Sequence, residues 1–385
     1  MGNKFSKKKN LPNKKKLNIS KDNKFLNNHT NNNIKGYENT YKDTTEKKNV
    51  IHSDKKDIEF NSNKINYEFI TDIATDSYSY GIDNTMVTFK SIDDILYFIY
   101  SKKMSIISYD LINNKKINEI KDDNNSCITN LKHYFHQDKR QDLVISTSIN
   151  NNLKLWKINN WECLLNIKRV NLNGDLRSAC FLSLNNQIYI LTSNIFGSEP
   201  IKVFNLKGKK IREIPNSKDG VNYIDIYYDN KSSKPYILTG NKNFVKSYDY
   251  NNNIVYHTYH DNDHYTHYSL RIKNENNLIK LIESSEDGNI RIWDFHSGKL
   301  LKKIYISDGN LFGICLWNND YLFIGCGENT IKILDMEKSQ IIGKIDGHNR
   351  GVLVLLKVNI PKYGECLISQ ENGELTKLWK IKLNN

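Results

Sequence analysis

One short pattern, met seven times at a near-constant interval, limits what this chain can fold into more than any property of its composition. Its clearest copy is Ser284-Ser285-Glu286-Asp287-Gly288-Asn289-Ile290-Arg291-Ile292-Trp293-Asp294. It reads as the end of one strand, a tight turn on Asp287-Gly288, and an alternating strand that closes on a Trp-Asp pair. The pattern returns at 105–110, 153–157, 201–205, 245–249, 331–335 and 375–380. Measured at Tyr109, Trp156, Phe204, Tyr248, Trp293, Leu334 and Trp379, the intervals are 47, 48, 44, 45, 41 and 45 residues. A repeat of roughly 40–45 residues built from four short strands is the signature of propeller blades.

These residues resemble the WD-repeat family over about residues 65–385. Trp293-Asp294 is the full Trp-Asp pair. The other copies, Trp156 and Trp379 among them, keep an aromatic or Leu at the first position and Asp, Asn or Lys at the second. The Gly-His that opens a repeat in this family is present as Gly347-His348, and Asp263-His264 is a looser match. The expected fold is therefore all-β: a seven-bladed β-propeller preceded by a disordered basic N-terminal arm. Only four residues follow Ile381, so the last blade lacks its outer strand. The strand-like stretch 65–73 is expected to supply it and close the ring, which removes the free edges of an open sheet.

Residues 1–64 hold 14 Asn and 16 Lys among few apolar residues, too little apolar surface to offset the entropy of ordering. They also carry most of the formal net charge of +13: 16 basic residues against 7 acidic, where the remaining 321 residues carry 40 against 36. Met1-Gly2-Asn3-Lys4-Phe5-Ser6 fits the pattern for N-myristoylation of Gly2. One myristoyl chain binds membranes only marginally, and the lysines Lys4, Lys7, Lys8, Lys9, Lys14, Lys15 and Lys16 are placed to add attraction to anionic lipid headgroups. The same lysines also read as a nucleic-acid arm or a nuclear signal. No apolar run approaches the roughly 18–20 residues that span a bilayer, and no apolar h-region marks a secretory signal. Six cysteines without a C-x-x-C pair, most of them inside predicted strands, read as buried free thiols in a reducing compartment.

The resemblance implies a buried hydrogen-bonded set in each good repeat, formed by a His, a Ser or Thr, an Asp and the Trp. Carried over, it assigns His264, Ser284 or Ser285, Asp287 and Trp293 in the fifth blade. In the seventh it assigns His348, Ser369 and Trp379, where the turn reads Glu371-Asn372-Gly373. These residues are structural and carry no chemistry. His257, His260, His264 and His267 are spaced like metal ligands, but they cross from an outer strand into the next blade and do not converge. No catalytic residue, cofactor or metal is expected, and no small-molecule substrate.

The function expected is a non-enzymatic platform for protein or peptide partners on the propeller faces, a single copy within a larger assembly. Its expected place is the cytosolic face of a membrane, as a peripheral protein held by myristoyl-Gly2 and the basic arm. The alternative is a nuclear or ribonucleoprotein-associated scaffold whose arm contacts nucleic acid.

Overall fold

The computed structural model describes residues 65–74, 83–121, 126–171, 174–195, 199–215, 220–261, 264–275, 277–373 and 375–383. Gly2, the lysines of the arm, Asp263 and residues 196–198 lie outside them. The described residues form seven four-stranded antiparallel sheets, and no helix among them is long and apolar enough to cross a membrane.

Each blade runs from an innermost to an outer strand. The first comprises Met86–Lys90, Leu96–Lys102, Ser105–Asp110 and Lys115–Lys121; the second Ile128–His136, Gln141–Ser148, Leu153–Lys157 and Glu162–Ile167. The third is Leu176–Leu184, Gln187–Asn194, Ile201–Asn205 and Lys210–Ile214, and the fourth Val221–Tyr228, Pro235–Asn241, Val245–Asp249 and Ile254–Tyr259. The fifth is His267–Glu275, Leu278–Ser285, Asn289–Asp294 and Leu300–Tyr305, and the sixth Leu311–Trp317, Tyr321–Cys326, Ile331–Asp335 and Gln340–Ile345. The seventh has Val352–Ile360, Gly364–Glu371 and Thr376–Leu383, and its outer strand is Ile65–Ala74. That clasp pairs antiparallel from Ile65 opposite Leu383 to Ala74 opposite Thr376.

The alternating pattern fixes where the core sits. Both faces of a blade meet a neighbour, so each apolar cluster is shared by two blades. Ile282, Ile290 and Ile292 of blade five pack with Leu311, Ile314 and Leu322 of blade six. The seam between blades seven and one is filled alike, with Leu353 and Ile368 against Phe98 and Tyr100, and with Ile73 and Ala74 of the clasp. Seven such clusters fill seven seams, so the ring is closed.

The Trp-Asp pattern also explains its own acidic end. Asp110, Asp249 and Asp335 each accept a hydrogen bond from a backbone N–H in the turn that follows. Asp294 does the same, accepting from His296 N at 3.1 Å and Ser297 Oγ at 2.7 Å, and Asn205 accepts from Lys207 N and Lys209 N at 3.0 Å. A short polar side chain here shapes the turn into the outer strand.

Candidate functional site: polar links between blades and a belt in the channel

Blade seven contains a complete buried chain. Trp379 Nε1 donates to Ser369 Oγ at 2.7 Å, and His348 Nε2 lies 2.7 Å from the same oxygen. Indole can only donate, so the Ser369 hydroxyl passes its proton to His348 Nε2, and His348 Nδ1–H faces Glu371 Oε2 at 3.2 Å. Glu371 stands where the family pattern has Asp, and it also accepts from Asn349 N at 2.9 Å. Burial, working against the hydrogen bond that His348 gives to Glu371, holds the His348 pKa below its ordinary value. In blade two Trp156 Nε1 donates to Ser146 Oγ at 2.9 Å.

Blade five, the best repeat in sequence, is built differently. His264 is exposed, in the segment that enters the blade, and the buried histidine is His267. The reason is spacing: His348 stands four residues before the first strand residue Val352, whereas His264 stands three before His267. Register corrects the serine as well. Ser369 lies opposite Leu355, Ser146 opposite Leu131, and the residue in that place opposite Leu270 is Glu283, not Ser284 or Ser285. Glu283 is 0% exposed, with Oε2 3.2 Å from His267 Nδ1 and Oε1 3.7 Å from Arg291 Nε. Trp293 is buried, but its Nε1 has no hydrogen-bond partner among the described residues.

Ser285 and Asp287 serve Arg291 instead. Ser285 Oγ donates to Asp287 Oδ1 at 2.5 Å; Arg291 donates to Ser285 Oγ at 2.7 Å and to Asp287 Oδ2 at 2.5 Å. Burial alone would raise the Asp287 pKa, but hydrogen bonds from Arg291 and Ser285 hold it down, to about 2. Arg291 Nε reaches back to Asp261, in the connection from blade four, at 2.7 Å.

That reach is a repeated device. Two residues before the aromatic position, six blades carry a basic residue: Lys154, Lys202, Arg291, Lys332 and Lys377, with Lys246 in blade four. Lys202 Nζ donates to Val170 O at 2.8 Å and Lys332 Nζ to Ile306 O at 2.9 Å, each in the segment linking the preceding blade. Lys377 Nζ reaches Asp72 of the clasp at 3.0 Å. The signal was present in six of the seven copies of the repeat, as a cation within an apolar strand.

The channel is lined by the innermost strands. In blades two to five the residue two past the innermost strand's first residue bonds to the next blade's main chain: Asn130 Nδ2 to Ala179 O, Tyr223 Oη to Leu270 O, Ile224 N to Ser178 Oγ and Ile314 N to Ser269 Oγ. Below them runs a charged belt. Lys132 Nζ donates to Asp225 Oδ2 at 3.0 Å, Tyr223 Oη to the same oxygen at 2.9 Å, and Arg271 to Tyr223 Oη at 3.2 Å. Arg271 then grips both oxygens of the buried Asp83, at 2.8 and 3.0 Å. Burial opposes ionisation of Asp225, but Lys132 and the hydrogen bonds from Ile226 N and Tyr223 outweigh it and lower its pKa. Burial raises Tyr223 well above its ordinary value, so its phenol stays protonated and donating. The belt ties blades one, two, four and five into one rigid unit.

The remaining candidates are dispersed. His257 Nε2 faces His296 O, His260 and His264 are exposed, and among the described residues no three His, Cys, Asp or Glu side chains converge as metal ligands. Four cysteines are buried and Cys127 is half-buried, but Cys163, expected to be buried, faces solvent because its strand is an outer one.

No protein-family model matches the chain. Over 101 residues it is 22% identical to the U3 small nucleolar RNA-associated protein 21 homolog of Schizosaccharomyces pombe, a stretch that is 26% of this chain and 11% of that relative. The chain thus matches about a tenth of the relative's length. Together with seven four-stranded blades, this similarity fits a WD-repeat propeller.

Proposed function

We propose that this chain is a WD-repeat scaffold, a non-enzymatic platform that presents its faces and rim to protein or peptide partners as one copy within an assembly. The observation that carries this reading is how the polar residues of the repeat are used. The blade-seven chain, the strand-three cations and the channel belt each join one segment of the ring to another. A framework braced in this way holds its surface turns in fixed relation, which suits binding.

The arm sets where the scaffold works. Gly2 is read as myristoylated and the lysines as its partner signal; support comes from the 1–6 motif and the lysine runs. A myristoyl chain alone gives an association constant of about 10⁴ M⁻¹. Three lysines at up to about 1 kcal/mol each, halved for screening, add roughly tenfold. Fractionation of cells tests this. Gly2→Ala releases the protein to the cytosol, and Gln at Lys7, Lys8 and Lys9 weakens membrane association without affecting acylation. A wild-type protein found wholly soluble or nuclear refutes it.

A second reading has one observation in its favour, the RNA-associated name of the relative. In it the scaffold is nuclear and its cations contact nucleic acid. It expects Gly2→Ala to be silent and the lysine changes to abolish nuclear entry or nucleic-acid binding.

A further inference from the structure

Within a blade, the turn joining the first two strands and the turn joining the last two lie at the same end of the sheet. The blade-to-blade links recur at matching positions of successive innermost strands, so these strands point the same way and the turns gather on one face. On blades two to four that face is cationic. Lys139 and Arg140 stand in turn 137–140, Lys207 and Lys209 in 206–209, and Lys231 and Lys234 in 229–234, all six exposed. None of the six makes an ion pair with another described residue, unlike Lys210 nearby, which pairs with Glu213 at 2.5 Å. Opposing charge among the described residues is confined to Asp138, to Glu162, which accepts from Asn160 Nδ2 at 3.3 Å, and to Asp93, which accepts from Asn159 Nδ2 at 3.4 Å. Asp138 is exposed, but Asp229 turns inward and caps the backbone of Lys231 and Ser232 at 3.2 Å. The matching turn of blade one instead carries Asp93 and Asp94.

Between the cations stand groups that read bases. The intervening turns are exposed amides, including Asn159, Asn160, Asn185 and Asn186. At the inner ends of the same blades lie Tyr134 and Phe181, with ring centroids 5.2 Å apart, and Tyr228, 39% exposed. Among the described residues no large apolar side chain is exposed within the turns themselves; Tyr228, 39% exposed, and Ile254, 56% exposed, flank them. Cations along a groove with π-faces beside them are the pattern of single-strand binding.

We propose that this face of blades two to four binds single-stranded nucleic acid. Lys139, Arg140, Lys207, Lys209, Lys231 and Lys234 hold phosphates, the amides meet base edges, and the aromatic rings stack. The proposal rests on the nucleic-acid reading above for its setting, and it moves the contact from the arm to the propeller.

The test is fluorescence anisotropy of a fluorescein-labelled 20-nucleotide oligouridylate with the full chain, titrated from 50 to 200 mM NaCl. One variant replaces the six face cations with Gln; another replaces Lys7, Lys8, Lys9, Lys14, Lys15 and Lys16. The face variant keeps its melting temperature, because those side chains are exposed and unpaired. It is expected to bind at least tenfold more weakly, with the slope of log K against log salt shallower by about 0.7 per lost contact. Wild type that does not bind, or a face variant that binds like wild type while the arm variant does not, overturns the proposal; the latter leaves the arm reading intact. A face variant that loses binding to phosphatidylserine vesicles but not to the oligonucleotide overturns it as well, and makes the face a lipid-docking surface.

Discussion

Ser369→Ala isolates the buried chain of blade seven with the smallest change in volume. The Ser369 hydroxyl receives Trp379 Nε1–H and serves His348 Nε2, both at 2.7 Å, and all three side chains are buried. Alanine leaves the Trp379 donor and the His348 acceptor without this partner. Each buried orphan costs about 1–3 kcal/mol, and the volume of the lost hydroxyl is small, so the expected loss for the two is about 2–6 kcal/mol. Urea denaturation followed by tryptophan fluorescence reads it as a lower midpoint at unchanged slope. Trp379→Phe and the double variant complete a cycle in which the two changes couple by about 0.5–3 kcal/mol. Blade five sets the contrast, since Trp293 Nε1 already lacks a partner among the described residues and Trp293→Phe loses no hydrogen bond to them. A loss under about 0.5 kcal/mol for Ser369→Ala, or no coupling, refutes the proton chain.

Trp293→Ala removes a large side chain at 2% exposure and is expected to cost about 3–5 kcal/mol; an unchanged melting temperature would contradict its place in the core. Deleting residues 1–60 leaves the clasp in place, whereas deleting 1–75 strips Tyr67 and Phe69 from Trp379 and Asp72 from Lys377, so only the longer truncation lowers stability and solubility. Burial, against Asp142 and Glu371 respectively, holds His133 and His348 below their ordinary pKa. The unfolded chain therefore binds protons first, and stability declines as pH falls from about 6.5 through the folded values, while staying flat above it. Denaturation midpoints between pH 8 and 5 check this, and His133→Gln should flatten the decline.

The architecture was legible because one strand of each blade repeats its chemistry. An aromatic or Leu marks a buried seam, and where Asp or Asn follows it the pair also caps the next turn. The clasp followed from counting strands. What counting missed traces to single-residue shifts. His264 stands three residues before its strand where His348 stands four, so the motif slides past its partner. His264 failed in this way, and with it the serine that Glu283 replaces. The strand-three cations hid in plain sight, since one lysine between apolar neighbours reads as the solvent face of a strand until its burial is known. Asparagine abundance was likewise structural in part: Asn114, Asn151, Asn185, Asn186, Asn253, Asn318, Asn319 and Asn329 all adopt positive φ, where Asn stands in for Gly.

The clasp sets a clock on assembly. Asp72 meets Lys377 across 305 positions of sequence, so the strand that leaves the ribosome first among the described residues waits for the one that leaves last. At about 5–20 residues per second that wait lasts roughly 15–60 seconds, during which six blades can form while Tyr67 and Phe69 remain without Trp379. Until closure, blade one and blade seven each present a face that belongs against the other. The interval before closure is when this chain is most exposed to pairing with a second copy, and a partner or chaperone acting there would protect a ring that needs no such help once shut.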